Sequence, residues 1–193
     1  MSLMRRLAMV GFAAVLIVGA TGCGKDEKKA EQSDRPPVSF VDPPEGSMKL
    51  GLCLSYPIAD IKELMGGNQY FKRLMPTAIG QEGDDVTGES CAWERTDPNG
   101  ATSNLRIEVR DFGEDTAGLE KWFADLKSQA KGFTAIDGLG DDAFSVVIGE
   151  SLVLQARSGQ YLLTASSQGS GGLAALSVEQ LTELAFKGIG ALP

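Results

Sequence analysis

Histidine is absent from all 193 residues. That absence excludes serine triads with an imidazole base, cysteine–histidine dyads, histidine metal sites and any imidazole acid–base step. An enzyme would be left with rarer devices such as Ser/Lys pairs or paired carboxylates. Cysteine is scarce, at three residues, and no C-x-x-C pair is present. Basic residues are in deficit, with 18 Lys plus Arg against 26 Asp plus Glu and a formal net charge of -8. A surface of that sign repels phosphate backbones, so no nucleic-acid partner is expected. A comfortable membrane span is lacking too. The charge-free apolar run Leu7 to Ala20 covers only about 21 Å as a helix, against a hydrocarbon core of about 30 Å. What remains is globular in composition, 42% hydrophobic and 23% charged, and long enough for one domain with a buried core.

The first residues carry Arg5 and Arg6 and no acid, and the apolar run after them ends in small residues. This is the layout of a secretory signal. The junction Ala20-Thr21-Gly22-Cys23 resembles the bacterial lipobox, with Ala20 where that pattern usually has Leu. The resemblance implies a diacylglycerol thioether on Cys23 and cleavage just before it, so that residues 1–22 are a lipoprotein signal peptide and Cys23 is the first mature residue. Small side chains fit a narrow peptidase site, and only a thiol can form the thioether. Each buried methylene contributes about 0.8 kcal/mol, so two or three acyl chains on one residue anchor stably where one does not. The expected partner is therefore the membrane, held through lipid on Cys23 at its extracytoplasmic face. Gly24 follows the cysteine, so the family rule of inner-membrane retention by Asp at that position does not apply.

Residues 23–46 read as the lipidated cysteine and a flexible tether, polar and bearing Lys25-Asp26-Glu27-Lys28-Lys29, Pro36-Pro37 and Pro43-Pro44. As a coil of about 23 residues it spans roughly 25 to 30 Å on average. Removal of Arg5 and Arg6 leaves 16 basic against 26 acidic residues, a net of -10, so the lipid rather than charge does the holding. Cys53 and Cys91 remain as an even pair once Cys23 is committed to lipid, and in an exported chain a structural disulfide is expected. Closing a loop of about 38 residues stabilises the fold by roughly 4 kcal/mol through the lost entropy of the unfolded chain. No metal site and no cofactor are expected, since the pair has no histidine and no second C-x-x-C beside it.

Residues 47–193 read as the folded body. Ile58, Ile61 and Met65 recur at helical spacing until Gly66-Gly67. Ser90–Arg95 and Leu105–Arg110 alternate about the turn Asp97-Pro98-Asn99-Gly100, which predicts a hairpin. The acidic segment Gly80–Gly88 between helix and hairpin reads as a loop. Leu119, Trp122, Phe123, Leu126 and Ala130 place an amphipathic helix over Asp115–Ala130. Phe133–Ile136, Ala143–Ile148, Ser151–Ala156 and Tyr161–Ser166 read as a meander with glycine turns. Ser177 with Gln180 forms a capping box before a last helix. The expected fold is α+β: a single domain with an antiparallel sheet, about three helices packed mainly on one face, and one disulfide.

In order and spacing, Cys23, Cys53, Cys91-Ala92-Trp93, Gly138-Leu139-Gly140-Asp141-Asp142-Ala143 and the terminal helix from Ser177 to Leu192 resemble a family of small secreted lipoproteins of unknown function, abundant in actinobacteria. The resemblance implies a surface-exposed lipoprotein and carries no catalytic residues.

Four further features bear on chemistry. Asp84-Asp85 and Asp141-Asp142 offer the carboxylates that hard cations prefer, but adjacent strand residues point apart and the calcium-loop ladder is missing, so turn formation is expected. Ser166–Gly172 lacks the Gly-Lys-Ser/Thr of a phosphate loop and reads as a flexible connection. Lys127-Ser128 does not have Ser-x-x-Lys spacing. Trp93, Trp122, Phe123 and Phe144 suit either an apolar cleft or the core, and core is expected. The reading is an anchored, non-enzymatic binding or interaction module for an envelope protein or small-molecule ligand. The alternatives are an unusual His-free hydrolase using Asp141 or Asp142, and a structural cell-envelope protein.

Overall fold

The structure is a computed structural model and describes residues 49–67, 70–81 and 83–193. The chain divides into two units, Met1–Ser39 and Phe40–Pro193, of which only the second holds described residues. The signal, Cys23 and the tether lie outside the described residues.

A 3-10 turn at Leu52–Ser55 precedes α1 (Ile58–Leu64), two short strands β1 (Phe71–Arg73) and β2 (Thr77–Ile79), and the hairpin β3 (Thr87–Thr96) and β4 (Thr102–Asp111). Then come α2 (Thr116–Gln129), β5 (Thr134–Ala135), β6 (Asp142–Ile148), β7 (Ser151–Ser158), β8 (Tyr161–Gly169) and α3 (Val178–Ile189). Local chemistry sets these limits. Asp97 Oδ1 accepts from the N–H groups of Asn99 and Ala101, at 2.8 Å each, and so closes the β3–β4 turn. Asp115 caps α2 by accepting from Gly118 N–H at 2.9 Å. Ser177 and Gln180 form the expected capping box on α3.

The strands make one antiparallel sheet in the order β1-β3-β4-β8-β7-β6-β5, with β2 also on the outer edge of β3. Its centre is the pairing of β4 with β8, from Ser103 against Gly169 to Asp111 against Tyr161. The α+β class, the antiparallel sheet, the Cys53–Cys91 disulfide and, among the described residues, three α-helices are as expected from the sequence. Two expectations are corrected. Gly80–Gly88 is not all loop, because β3 already pairs with β4 at Thr87 and Gly88. Ser166–Gly172 is not all a connection either. β8 runs to Gly169, with Ser166 and Gln168 hydrogen-bonded between Arg106 and Asn104 on one side and Val153 and Ser151 on the other. Pairing on both flanks overrides the weak strand preference of serine and glycine.

Alternation along the strands builds two cores. The first holds Leu105, Ile107 and Val109 of β4, Leu154 and Ala156 of β7 and Leu163 and Ala165 of β8, under the 3-10 turn, α1 and α3. The second, on the opposite face, holds Phe144, Val146 and Leu162 under Leu119 and Phe123 of α2. Two of the three helices therefore share one face.

The buried stripe of β3 joins the N-terminal segment to the sheet. Glu89, only 1% exposed, accepts from the N–H groups of Leu50 (2.6 Å), Gly51 (3.0 Å) and Leu52 (2.9 Å). Gly51 makes this convergence possible by adopting φ 63°, which costs a residue without Cβ little. Two residues on, Cys91 is bridged to Cys53, with Cα atoms 5.6 Å apart. Two further, Trp93 meets the Tyr56 ring edge-on at 5.8 Å. The Tyr56 hydroxyl in turn donates to Leu184 O of α3 at 2.9 Å. Gly188 allows this seating, because a Cβ there would collide with the Tyr56 hydroxyl.

Glu89 Oε1 serves Leu50 and Gly51 while Oε2 serves Leu52, so an amide in its place points an N–H at a donor in either orientation. Glu89→Gln should cost about 2 kcal/mol in urea unfolding; an unchanged midpoint would refute the clasp. Burial also raises the pKa of Tyr56 well above that of a free phenol. The unfolded chain then loses this proton first, so stability is full below about pH 10 and declines above it. Tyr56→Phe should flatten most of that alkaline decline while costing about 1 kcal/mol at neutral pH. Some slope should persist from Tyr161, whose pKa is raised by burial and by Asp111.

Candidate functional site

Cys23, the expected lipidation site, lies outside the described residues. Cys53 and Cys91 are buried in the first core, which makes their bridge a structural staple. The acidic pairs hold turns and bases. Asp84 Oδ2 accepts from Gln81 N–H at 2.8 Å. Asp141 Oδ2 accepts from Gly159 N–H at 2.8 Å, and its own N–H donates to Arg157 O at 2.7 Å. Both oxygens of Asp142 accept from Lys127 Nζ at 2.9 Å. Ser128 is turned away from Lys127 and donates to Asp125 O. Among the described residues no group of three or more Cys, Asp or Glu is placed to hold a metal ion. Trp93 belongs to the first core, and Trp122, Phe123 and Phe144 to the second, so these aromatics do not line one common cleft.

The surface with room for a ligand is the α2 side of the sheet. α2 crosses only one end of it, held by Lys127–Asp142, by Arg157–Glu120 at 3.4 Å and by Arg110 over the Trp122 ring at 5.0 Å. Register places two rows across the strands of this face, the first of them ending in the helix-covered core at Val146. One runs Ala92, Arg106, Ser166, Val153, Val146, and the next runs Glu94, Asn104, Gln168, Ser151, Ile148. Each row is polar toward β4 and apolar toward β6. Two concavities follow that gradient.

A polar hollow of about 210 Å³ is lined by Leu74, Asn104, Arg106, Ser151, Ser166 and Gln168 among others. The acids on the same face as Arg106 are engaged elsewhere, Glu94 with Lys72 at 2.7 Å and Glu108 with Arg110 at 2.6 Å. Arg106 itself makes no ion pair among the described residues, so the floor keeps a net positive group in an acidic protein. The second concavity, about 500 Å³, lies between the end of α2 and the β6–β7 hairpin. Leu126, Ala130, Val146, Ile148 and Val153 give it apolar walls, with Phe144 and Gln155 at the sheet. Sequence reasoning found neither. The alternation of β4 does put Arg106, Glu108 and Arg110 on one face, but it does not show how far a helix covers that face.

No protein-family model and no curated protein matches the chain. Among solved structures, a GTP-binding regulator from Thermotoga maritima is similar at 14% identity, covering 72% of this chain and 90% of that one with a TM-score of 0.40. A likeness that distant transfers neither fold nor function.

Because Asp141 spends its carboxylate on Gly159, Asp141→Ala should lower stability by about 1 kcal/mol, with the wild-type midpoint indifferent to calcium or EDTA. A calcium-dependent rise in the wild type, lost in the variant, would instead make the pair a cation site.

Proposed function

We propose that this chain is a lipid-anchored extracytoplasmic binding module, tethered through Cys23 and presenting the open half of its sheet to a small ligand. The observation that carries the binding reading is the partly uncovered sheet face, which offers a cleft of about 500 Å³ near β6 and β7 and, toward β4, a hollow with Arg106, a residue without an ion pair among the described residues. Binding sites are characteristically concave, mostly apolar and supplied with a few convergent polar groups on a rigid support. Two features support the anchor and the compartment. Cys23 sits where the apolar leader meets a polar tether, and the buried Cys53–Cys91 bridge is of the kind that persists in oxidising compartments. Among the described residues no helix is long and apolar enough to cross a membrane.

Metabolic labelling of the native host with an alkyne fatty acid tests the anchor. The wild type should carry the label and sediment with membranes, and Cys23→Ala should lose both properties. Equal labelling of the two would remove Cys23 as the lipidated residue.

A further inference from the structure

We propose that the cleft at the C-terminal end of α2 binds a small anionic amphiphile, with an apolar body against β6 and β7, an N–H or O–H donor toward Gln155, and its negative group at Lys131. This deepens the binding reading above and rests on it. The walls set the first requirement. Val146 and Val153 pair across β6 and β7 on the open side of the sheet, and Ile148 follows on the same side at the hairpin tip, 61% exposed. Val146 is buried at the base of the cleft, while Ile148 and the half-buried Val153, Leu126 and Ala130 leave apolar surface that gains by being removed from water. The volume of about 500 Å³ is within the range of small-molecule sites, roughly 300 to 1,000 Å³.

Gln155 sets the second requirement. It lines this cleft, yet its Oε1 is shielded from solvent and has no hydrogen-bond donor. In the proposed complex a rotamer change swings the whole amide into the cleft, so that this oxygen meets the ligand's donor and the amide nitrogen is not buried in its place. A buried acceptor without a donor is a cost to the fold that a ligand N–H or O–H removes.

Charge sets the third. Lys131 is the one charged residue among those lining the cleft, it is exposed, and it makes no ion pair among the described residues. Lys127, one turn earlier on α2, is already committed to Asp142. An anion at the mouth is therefore matched by a cation with no ion-pair partner among the described residues; a neutral molecule of the same shape lacks that attraction and a cationic one is repelled.

The test uses the full chain, whose Phe40–Pro193 unit contains the disulfide and, among the described residues, every strand and both cores. The probes are the 2,6-substituted toluidinylnaphthalene sulfonate, whose N–H and sulfonate lie at opposite ends of one aromatic frame, and phenylnaphthylamine, its uncharged counterpart. Both should bind saturably at one site by fluorescence titration. Lys131→Gln, at an exposed position, should weaken the sulfonate about tenfold and leave the uncharged probe unchanged. Gln155→Met should weaken both probes and raise the unfolding midpoint, because it removes the unsatisfied acceptor. Absence of saturable binding, or variants that bind both probes as the wild type does, would overturn the proposal. So would affinity that falls as protein concentration rises, which would assign the cleft to a second copy of the chain. Failure here with Cys23 labelling intact leaves the anchored module standing and removes only this ligand class; failed labelling with the probes bound removes only the anchor.

Discussion

Glu89, Cys91 and Trp93 alternate on β3, and through them a single buried stripe holds the segment from Leu50 to Tyr56 by three kinds of force. The carboxylate is directional and collects three backbone donors. The disulfide acts mainly on the unfolded chain, whose freedom it reduces. The aromatic contact adds area and an edge-to-face preference. The carboxylate is the most demanding of the three, because a buried charge deprived of its donors is far more costly than one left in water. Once the stripe is in place Tyr56 lies under α3 and bonds Leu184, so a constraint that begins at β3 reaches the last helix. The first face of the sheet is covered as a consequence.

That coverage is what lets the second face stay partly open. A sheet needs a well-packed core on one side, and here the 3-10 turn, α1 and α3 supply it. The smaller core beneath α2 then needs to bury only one end of the other side. The remaining strands keep their ladders because β4, β8 and β7 have neighbours on both edges. The open surface is thus a rigid floor with small side chains at Ala92, Ser151 and Ser166, where a ligand can come close to the backbone. The apolar cleft and the Arg106 hollow lie on adjacent strands of that floor, at opposite ends of one polarity gradient.

Much of this was legible in local pattern. The Asp97–Gly100 turn, the alternation from Leu105 to Arg110, the helical spacing from Leu119 to Ala130 and the Ser177 capping box each act over a few residues, and each forms where expected. The serines of β8 misled, because a run such as Ser166-Ser167-Gln168-Gly169 has little intrinsic strand preference and becomes a strand through partners on both sides, in β7 and, some 60 residues away, in β4. Glu89 offered no signal at all, since one glutamate in an acidic stretch looks solvated until three N–H groups of a distant turn are seen converging on it.

The sequence by itself determined what depends on residue type and short spacing: the absence of imidazole chemistry, the three helices and the strands from β3 onward apart from the start of β3 and the end of β8, the α+β class and the pairing of two cysteines. Tertiary structure alone decided which side of the sheet each helix covers, and therefore that Trp93 and Phe144 belong to different cores while Arg106 and Gln155 share an open face. The physical reason is that alternation assigns residues to one side or the other of a strand with a period of two, but it does not say what lies above either side. That is settled by long-range contacts such as β4 with β8 and Tyr56 with α3.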